Sequence, residues 1–550
     1  MVRPERRVGV LFFVTLIFLL GILLRAGWLQ AVEGPSLAAQ ATGQQEDTIM
    51  IPGLRGSILD RNGRELVGSE VGASIYATPY QIKDAQAESE AVAEALDTDQ
   101  QEVLEAITQP GGFSYVQRKV DLVRAGRVEQ LGLEGLGQHP DTLRTRPQGD
   151  LAAQVIGAVS AEGEGLTGIE AAEEEVLRGV NGEQQMVKDA LGEPISMDTI
   201  RDPSDGESIQ LTLDASIQDR AERALASVAE LHDPVNASAI VMDAKSSEIL
   251  AMANWPPVDL DNLEDASAED LLNVGTSYNF EPGSTFKAFT VAAALEEGTV
   301  TPESTFTLAP SIQLYDRVIG ESHPRGTVTL DVGDILAQSS NVGSVTIGLA
   351  MGGKKFSGWI NRFGFGKPTG IEYPSEESGI VLPYSEYSGS TMGNLPIGQG
   401  IAVTPVQMVA GYGALANDGI LSAPRLIRSI GGEELPTKQG RRIVSPEVAA
   451  QVREMLKGVL AAGGTAPEVE IPGYTLAGKT GTAEIATEDG YSESRFVASF
   501  IGMAPADDPR IVVSIMVNEP QNGYYGGEVA APAFGDIASF ALPYLGVPTE

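Results

Sequence analysis

The first pattern along the chain is an unbroken apolar run. Between Val8 and Leu24 only Thr15 carries a polar side chain. As a helix these 17 residues span about 25 Å at ~1.5 Å per residue, a little short of a ~30 Å hydrocarbon core. Ala26, Gly27, Trp28 and Leu29 extend the run, and Arg25 sits close enough to its end to snorkel toward headgroups. Arg3, Arg6 and Arg7 precede it, so the positive-inside rule predicts a cytoplasmic tail over 1–7, an anchor over 8–29 and export of the rest of the chain. The competing reading is a cleaved signal peptide with Ala38-Ala39 as the cleavage region. Signal apolar regions run only ~7–15 residues, which favours a retained, single-pass anchor.

After the anchor, residues 30–47 are polar and Ala/Gln/Gly-rich, the composition of a stalk. Short strand-like runs then alternate with turns. Arg55–Gly63 places Asn62-Gly63 after an apolar strand, a hairpin signal. Residues 84–107 carry Leu and Val at helical intervals and predict a helix pair. The turn cluster Asp202–Gly206 marks a domain boundary, giving one domain over 48–206 and a larger one over 207–550. In the larger part a strand is predicted over 208–213, a helix over 215–231 and a strand pair over 237–241 and 249–253. Strands over 511–517 and around Leu476 are expected to join that pair in one largely antiparallel sheet, within an α/β or α+β domain.

Composition removes several chemistries. With 75 acidic and 37 basic residues the formal charge is −38, a surface that repels phosphate backbones and argues against nucleic-acid binding. Lysines number 11 of the 37 basic residues; with the acid excess this hints at a salty habitat. Cysteine is absent, which removes disulfides, thiolate metal sites and cysteine nucleophiles. His139, His232 and His323 are the three histidines, with no HExxH pair. Zinc hydrolysis and a Ser-His-Asp triad therefore have little to draw on, and no metal or cofactor is expected.

Three short motifs carry the candidate chemistry. Glu281–Lys287 (EPGSTFK) opens a helix predicted over Ala288–Glu297, with Pro-Gly making a sharp entry just before Ser284. Ser284 and Lys287 are then i and i+3 on one face, a hydroxyl beside an amine that can take its proton. Alone the signal is weak, since S-x-x-K arises by chance roughly twice in a chain of this length. Ser339-Ser340-Asn341 follows 55 residues after Ser284 in an interhelix turn, where a hydroxyl and a carboxamide face a cleft or merely cap the next helix. Ser277-Tyr278-Asn279 repeats the pattern and shows how common it is. Lys479-Thr480-Gly481-Thr482 lies 140 residues beyond Ser339 in a strand-like segment. A cation and two hydroxyls on a strand edge form a receptor for a terminal carboxylate, and Gly481 would let a ligand approach the backbone.

S-x-x-K, S-x-N and K-T-G in this order are the signature of serine enzymes of the penicillin-recognising group. The chain resembles the class B penicillin-binding proteins, peptidoglycan D,D-transpeptidases, over nearly its whole length. The resemblance runs through the anchor, Arg55–Gly63, Arg146-Pro147 with Leu151–Gly157, Gly165–Glu170, Leu211–Asp214, Gly398–Met408 and Leu415–Gly419. Tyr524–Phe534 with Phe500–Pro505 is similar to the division-specific FtsI type more than to elongation-type relatives. The resemblance implies a single transmembrane helix, an elongated α+β pedestal of the dimerisation type, and a large α/β serine transpeptidase domain with a mainly antiparallel sheet. It implies that Ser284 attacks the penultimate D-alanine carbonyl of a D-Ala-D-Ala stem peptide, and that a neighbouring amine then takes the acyl group. By the same resemblance Lys287 is the general base, Ser339 relays a proton to the leaving amine and Asn341 holds the peptide. Lys479, Thr480, Gly481 and Thr482 form the carboxylate site, and the backbone N–H groups of Ser284 and Thr482 form the oxyanion hole. A second ammonium at Lys479 is expected to help keep Lys287 neutral, with a ceiling of about 4 kcal/mol at ~4 Å separation and an effective dielectric of 20. The implied partners are stem peptides, β-lactam antibiotics, the membrane, an FtsW-like lipid-linked glycan polymerase and other division proteins.

Rival readings remain. Glu269–Asn273 matches the E-x-x-L-N pattern of β-lactamases but precedes Ser284, so it reads as a coincidence on a helix face. A D,D-carboxypeptidase differs only in using water as acceptor. A noncatalytic scaffold or β-lactam sensor is the alternative of a different class, and the Arg55–Gly63 hairpin is read equally as a partner contact or a plain turn.

Overall fold

The computed structural model describes residues 4–34, 36, 46–188, 194–260, 262–263, 266–487 and 490–550. The chain packs as two compact units that interleave in sequence. One takes Met1–Leu54, Glu70–Leu143 and Gly179–Gly206; the other takes Arg55–Ser69, Arg144–Arg178 and Glu207–Glu550. The stretches 55–69 and 144–178, which precede the boundary expected near residue 206, thus belong to the larger unit.

In the smaller unit a helix spans Pro4–Trp28 and continues as a π-helical turn over Leu29–Glu33. Arg6–Glu33 is long and apolar enough to cross a membrane. Most of the expected stalk, 37–45, lies outside the described residues. The expected helix pair forms over Ala85–Leu96 and Gln100–Thr108. Each starts at an aspartate, Asp84 or Asp99, whose carboxylate accepts first-turn N–H groups. Their apolar faces (Val92, Leu96, Val103, Ile107) bury against Ala73, Ile75 and Ala77 of a strand that pairs antiparallel with Ser114–Asp121. Gly182–Lys188 is the central strand of a separate three-stranded antiparallel sheet, between Glu46–Ile51 and Pro194–Arg201.

The larger unit is built on a five-stranded antiparallel sheet. Its order is Ile249–Trp255, Asn236–Asp243, Ile511–Asn518, Gly490–Ala504, Ala477–Thr487. Side chains alternate across it. Val513, Ile515 and Val517 pack with helices Ala215–His232 and Ala531–Tyr544, while Val512 and Met516 pack with Phe289, Val409 and Tyr412 on the other face. Both faces are covered, so the strands read as continuous apolar runs. The one strand with no clear signal is Gly490–Ala504: its first half, GYSESR, is half-buried or exposed, and only the second half is buried.

The Arg55–Gly63 segment is consumed inside this unit. Arg55 and Arg144 both grip the buried Glu170, with Arg55 Nε 2.6 Å and Arg144 Nη2 2.7 Å from its two carboxylate oxygens. Arg55 also reaches Glu174 at 2.6 Å. Arg144 donates to the Gly56 carbonyl at 2.8 Å and the Ser69 hydroxyl at 2.9 Å. Next along the chain, the buried Asp60 carboxylate accepts the N–H groups of Asn62 and Arg64, closing the hairpin between Ile58–Leu59 and the strand beginning at Glu65. Asn62 donates to Asp214, the N-cap of helix Ala215–His232, and Arg61 pairs with Glu248. These contacts favour the structural reading of the hairpin.

Candidate active site

The site lies where three segments meet beside the edge strand Ala477–Thr487. Ser284 stands in a 3-10 turn, Gly283–Phe286, that feeds directly into helix Lys287–Glu296. At ~3 residues per turn, positions i and i+3 stack above one another, which suits a Ser284–Lys287 pair better than an α-helical start would. The Lys287 N–H donates back to the Ser284 carbonyl. The turn is held from several sides. Gly283 has φ +53° and donates to the Gly398 carbonyl at 3.0 Å, and a Cβ on Gly398 would stand 2.2 Å from the Gly283 carbonyl oxygen. The buried Tyr412 hydroxyl donates to the Thr285 carbonyl at 2.7 Å. The G-Q-G segment after residue 397 thus acts as a backbone support for the Ser284 turn.

The middle motif sits between helices Val332–Ala337 and Asn341–Met351. Ser339 occupies the left-handed region at φ +58°, a conformation that costs a non-glycine residue of order 1–3 kcal/mol and collects at functional sites. Both lysines converge on it. The Lys287 ammonium nitrogen lies 3.2 Å from the Ser339 hydroxyl, 2.7 Å from its carbonyl and 2.6 Å from the Asn341 side-chain oxygen. Lys479 approaches the same hydroxyl at 2.9 Å and the Thr480 carbonyl at 3.1 Å. Both amines have no solvent exposure.

Burial dominates their electrostatics. Desolvation pulls Lys287 from the ordinary lysine range down to about 7, opposed by the carboxylate of Glu321. Lys479 is held well below its ordinary value, first by burial and then by the charge of Lys287. The sequence predicts that Lys479 helps keep Lys287 neutral; loss of water is the leading cause at Lys287, and the repulsion between the two amines falls on Lys479. Two ammonium groups that share one serine hydroxyl in a dry site cannot both stay charged cheaply. A neutral Lys287 donates to the Ser339 carbonyl and to Asn341, leaving its lone pair to accept a hydroxyl proton.

The third motif lies on the edge strand. Lys479 sends its amine to Ser339, Gly481 lies against Thr285 and Pro282 of the Ser284 turn, and the Thr480 hydroxyl lies 3.5 Å from the Lys479 amine. Thr480 shares a hydrogen bond of 2.6 Å with Thr465, and the Thr482 hydroxyl accepts the Gly526 N–H at 3.0 Å. The Thr482 hydroxyl keeps its O–H to turn toward an anion, and Thr480 keeps its own when Thr465 is the donor of their bond. Gly481 has a different use from the one expected. A Cβ there would come 2.3 Å from the Ser499 hydroxyl and 3.1 Å from the Pro282 carbonyl, so the space is taken by the protein's own turn rather than kept for a ligand. Close approach belongs instead to Gly526, where a Cβ would stand 2.2 Å from the Gly481 carbonyl and 2.3 Å from that of Ser499.

Thr465, Tyr412 and Glu321 escape a reading of the sequence, because each reaches the site from a segment with no motif of its own; Gly526 lies in the Tyr524–Phe534 stretch, which marks the resemblance but not the site. Glu269–Asn273 is not a helix face: those residues form turns, and the buried Asn273 caps the short helix Val274–Ser277. Among the described residues no group of three or more His, Asp or Glu side chains gathers as a metal-ligating cluster.

Comparison with known proteins agrees with this architecture. The penicillin binding protein transpeptidase domain matches residues 237–539, and the penicillin-binding protein dimerisation domain matches 50–211. The chain is 33% identical to penicillin-binding protein PbpB of Mycolicibacterium smegmatis over 94% of its length and 87% of the relative. It is 31% identical to peptidoglycan D,D-transpeptidase FtsI of Escherichia coli, over 97% of this chain and 90% of that one. Among solved structures, penicillin binding protein 3 of Mycobacterium tuberculosis in complex with aztreonam superposes with a TM-score of 0.71 at 29% identity, covering 91% of this chain and 98% of the other. The chain belongs to the class B penicillin-binding proteins and is a peptidoglycan D,D-transpeptidase, with a dimerisation-type domain and a transpeptidase domain behind an N-terminal apolar helix.

Proposed function

We propose that Ser284 is the nucleophile of this transpeptidase and that Lys287 is its general base. The observation that carries the reading is the convergence of two fully buried amines on the Ser339 hydroxyl, at 3.2 and 2.9 Å, beside the turn that holds Ser284. Lys287 takes the Ser284 proton as the hydroxyl attacks the penultimate D-alanine carbonyl. The proton passes through Ser339, which both lysines touch, to the departing D-alanine amine. Backbone N–H groups of Ser284 and Thr482 hold the oxyanion, where one donor is worth about 10²–10³ in rate. Asn341 holds the peptide, and Lys479, Thr480 and Thr482 hold its terminal carboxylate, with Gly481 allowing the strand and turn to close together. A second stem's amine then attacks the acyl enzyme. Penicillins present the same carboxylate beside a strained acyl group and acylate Ser284 covalently.

Residues 1–7 lie in the cytoplasm, 8–29 form the anchor and the rest is exported: 30–47 as the stalk, 48–206 as the pedestal, apart from 55–69 and 144–178, which pack with the transpeptidase domain of 207–550; the arginines before the apolar run support that orientation. The enzyme serves the septum together with a lipid-linked glycan polymerase of the FtsW-like kind. The similarity of Tyr524–Phe534 to the FtsI type and the identity with FtsI of Escherichia coli support this. Elongation duty is the second reading, separated by depletion: filaments support the septal role, rounded cells the other.

Given a donor stem and an acceptor amine, the exported portion is expected to form more cross-linked than hydrolysed product. The reverse ratio would favour a carboxypeptidase. The rate of acylation by a fluorescent penicillin is expected to rise about tenfold per pH unit below pH about 7 and to level above it. The base must be neutral, and burial places the Lys287 titration near that value. A profile flat from pH 5 to 9 would contradict the assignment.

A further inference from the structure

We propose that Glu321 is a positioning residue for this reaction, holding the Ser339–Asn341 turn in register with the two lysines. The inference rests on the proposed roles of Ser284, Lys287 and Ser339 and adds a residue that no motif includes.

Glu321 directly follows the short strand Arg317–Gly320, and its side chain is 7% exposed. Both of its oxygens are spent on the middle motif. One accepts the Ser340 hydroxyl at 2.7 Å, and the other accepts the Asn341 backbone N–H at 2.6 Å. The neighbouring Gly320 carbonyl accepts the Asn341 side-chain amide at 2.9 Å. Arg325 closes the clamp by pairing with Glu321 and donating to the Ser340 hydroxyl at 3.3 Å. Ser340 in turn caps the following helix by accepting the Gly343 N–H at 3.0 Å.

A helix cap needs only the Ser340 hydroxyl. The additional carboxylate, arginine and carbonyl fix the rotation of Asn341 and the backbone on both sides of Ser339. That matters because Ser339 is held at a positive φ and must present its hydroxyl and carbonyl to amines from two other segments. A displacement of ~1 Å in such a relay can cost about 10²-fold in rate.

The charged groups that face the Lys287 amine are Lys479 from the edge strand and Glu321, itself paired with Arg325; the interhelix turn presents only Ser339 and Asn341. Glu321 raises the Lys287 affinity for a proton, against the larger effect of burial. Removing the carboxylate must therefore move the Lys287 titration to lower pH.

The test measures acylation by a fluorescent penicillin, per folded molecule, for the full chain and for E321Q, R325Q and S284A across pH 5 to 9. E321Q is expected to lose roughly 10²-fold in plateau rate, with its acid limb shifted to lower pH. R325Q keeps both acceptor oxygens of Glu321, so it is expected to lose less rate than E321Q. E321D is expected to recover part of the loss. Wild-type plateau and limb in E321Q, with S284A unlabelled, would overturn the positioning role while leaving the nucleophile assignment intact. Labelling that persists in S284A would instead overturn the reading beneath it. If E321Q does not fold, E321D serves instead, because it keeps the charge but draws the oxygens back from Ser340 and Asn341: a wild-type plateau rate in E321D overturns the proposal.

Discussion

Replacing Lys287 by methionine is expected to lower acylation of Ser284 about 10²–10⁴-fold, the range over which a positioned base contributes, while improving stability most at low pH. The first half follows from the site: no other side chain with a lone pair of suitable basicity stands three residues from Ser284 on the same turn. The second follows from linkage. The lysine binds its proton more weakly when folded, near pH 7, than in the unfolded chain, near 10.5. Its burial therefore destabilises the protein fully below pH 7, and that cost fades as the pH rises from 7 to 10.5. Methionine fills a similar volume without a charge, though it leaves the Ser339 carbonyl and the Asn341 side chain short of a donor. Thermal unfolding in parallel at pH 6 and pH 10 checks this: the melting difference, variant minus wild type, should be more positive at pH 6. A difference independent of pH would mean that the wild-type amine is charged in the fold.

Glu170→Ala is expected to cost about 3–5 kcal/mol of stability, because it leaves the Arg144 side chain buried without its partner carboxylate. Desolvation already lowers the Arg144 affinity for its proton, with Glu170 as the chief counterweight. The neighbouring Glu174 still reaches Arg55 but not Arg144, so the loss falls mainly on Arg144 and on the Gly56 and Ser69 contacts it makes. Replacing Arg144 by methionine together with Glu170→Met should recover much of the stability, since the charge leaves with its partner. Denaturant unfolding of the exported portion measures both. Equal stability of Glu170→Ala and wild type would show that water reaches the cluster freely. Penicillin acylation per folded molecule should change little in either variant, because the cluster touches none of the three motifs.

Much of the fold is legible in the chain because its signals are local. The apolar run from Val8 is unbroken, the helix pair after Asp84 shows its period, and the strands at 236–243, 249–255 and 511–518 are dense in β-branched and apolar residues. The Ser284–Lys287 spacing likewise contains its own geometry. The remainder depends on groups far apart in sequence. Arg55 and Glu170 are 115 positions apart, and nothing near either announces that residues 55–69 and 144–178 pack with the later chain. Gly490–Ala504 hides as a strand because its exposed half carries polar side chains. The lysine electrostatics could not be assigned from charge alone, since burial, which outweighs the neighbouring ammonium, is a property of the packed core around helix Lys287–Glu296. Gly481 illustrates a subtler limit: a glycine on a strand signals close approach, but not whether a ligand or the chain itself makes it.

The most direct test is to incubate the exported portion with benzylpenicillin at pH 8, digest it and locate the added mass. A single adduct on the peptide containing Ser284, absent in Ser284→Ala, is the predicted outcome. A stable adduct on another residue, or none while the melting curve shows an intact fold, would contradict a serine activated between two buried lysines.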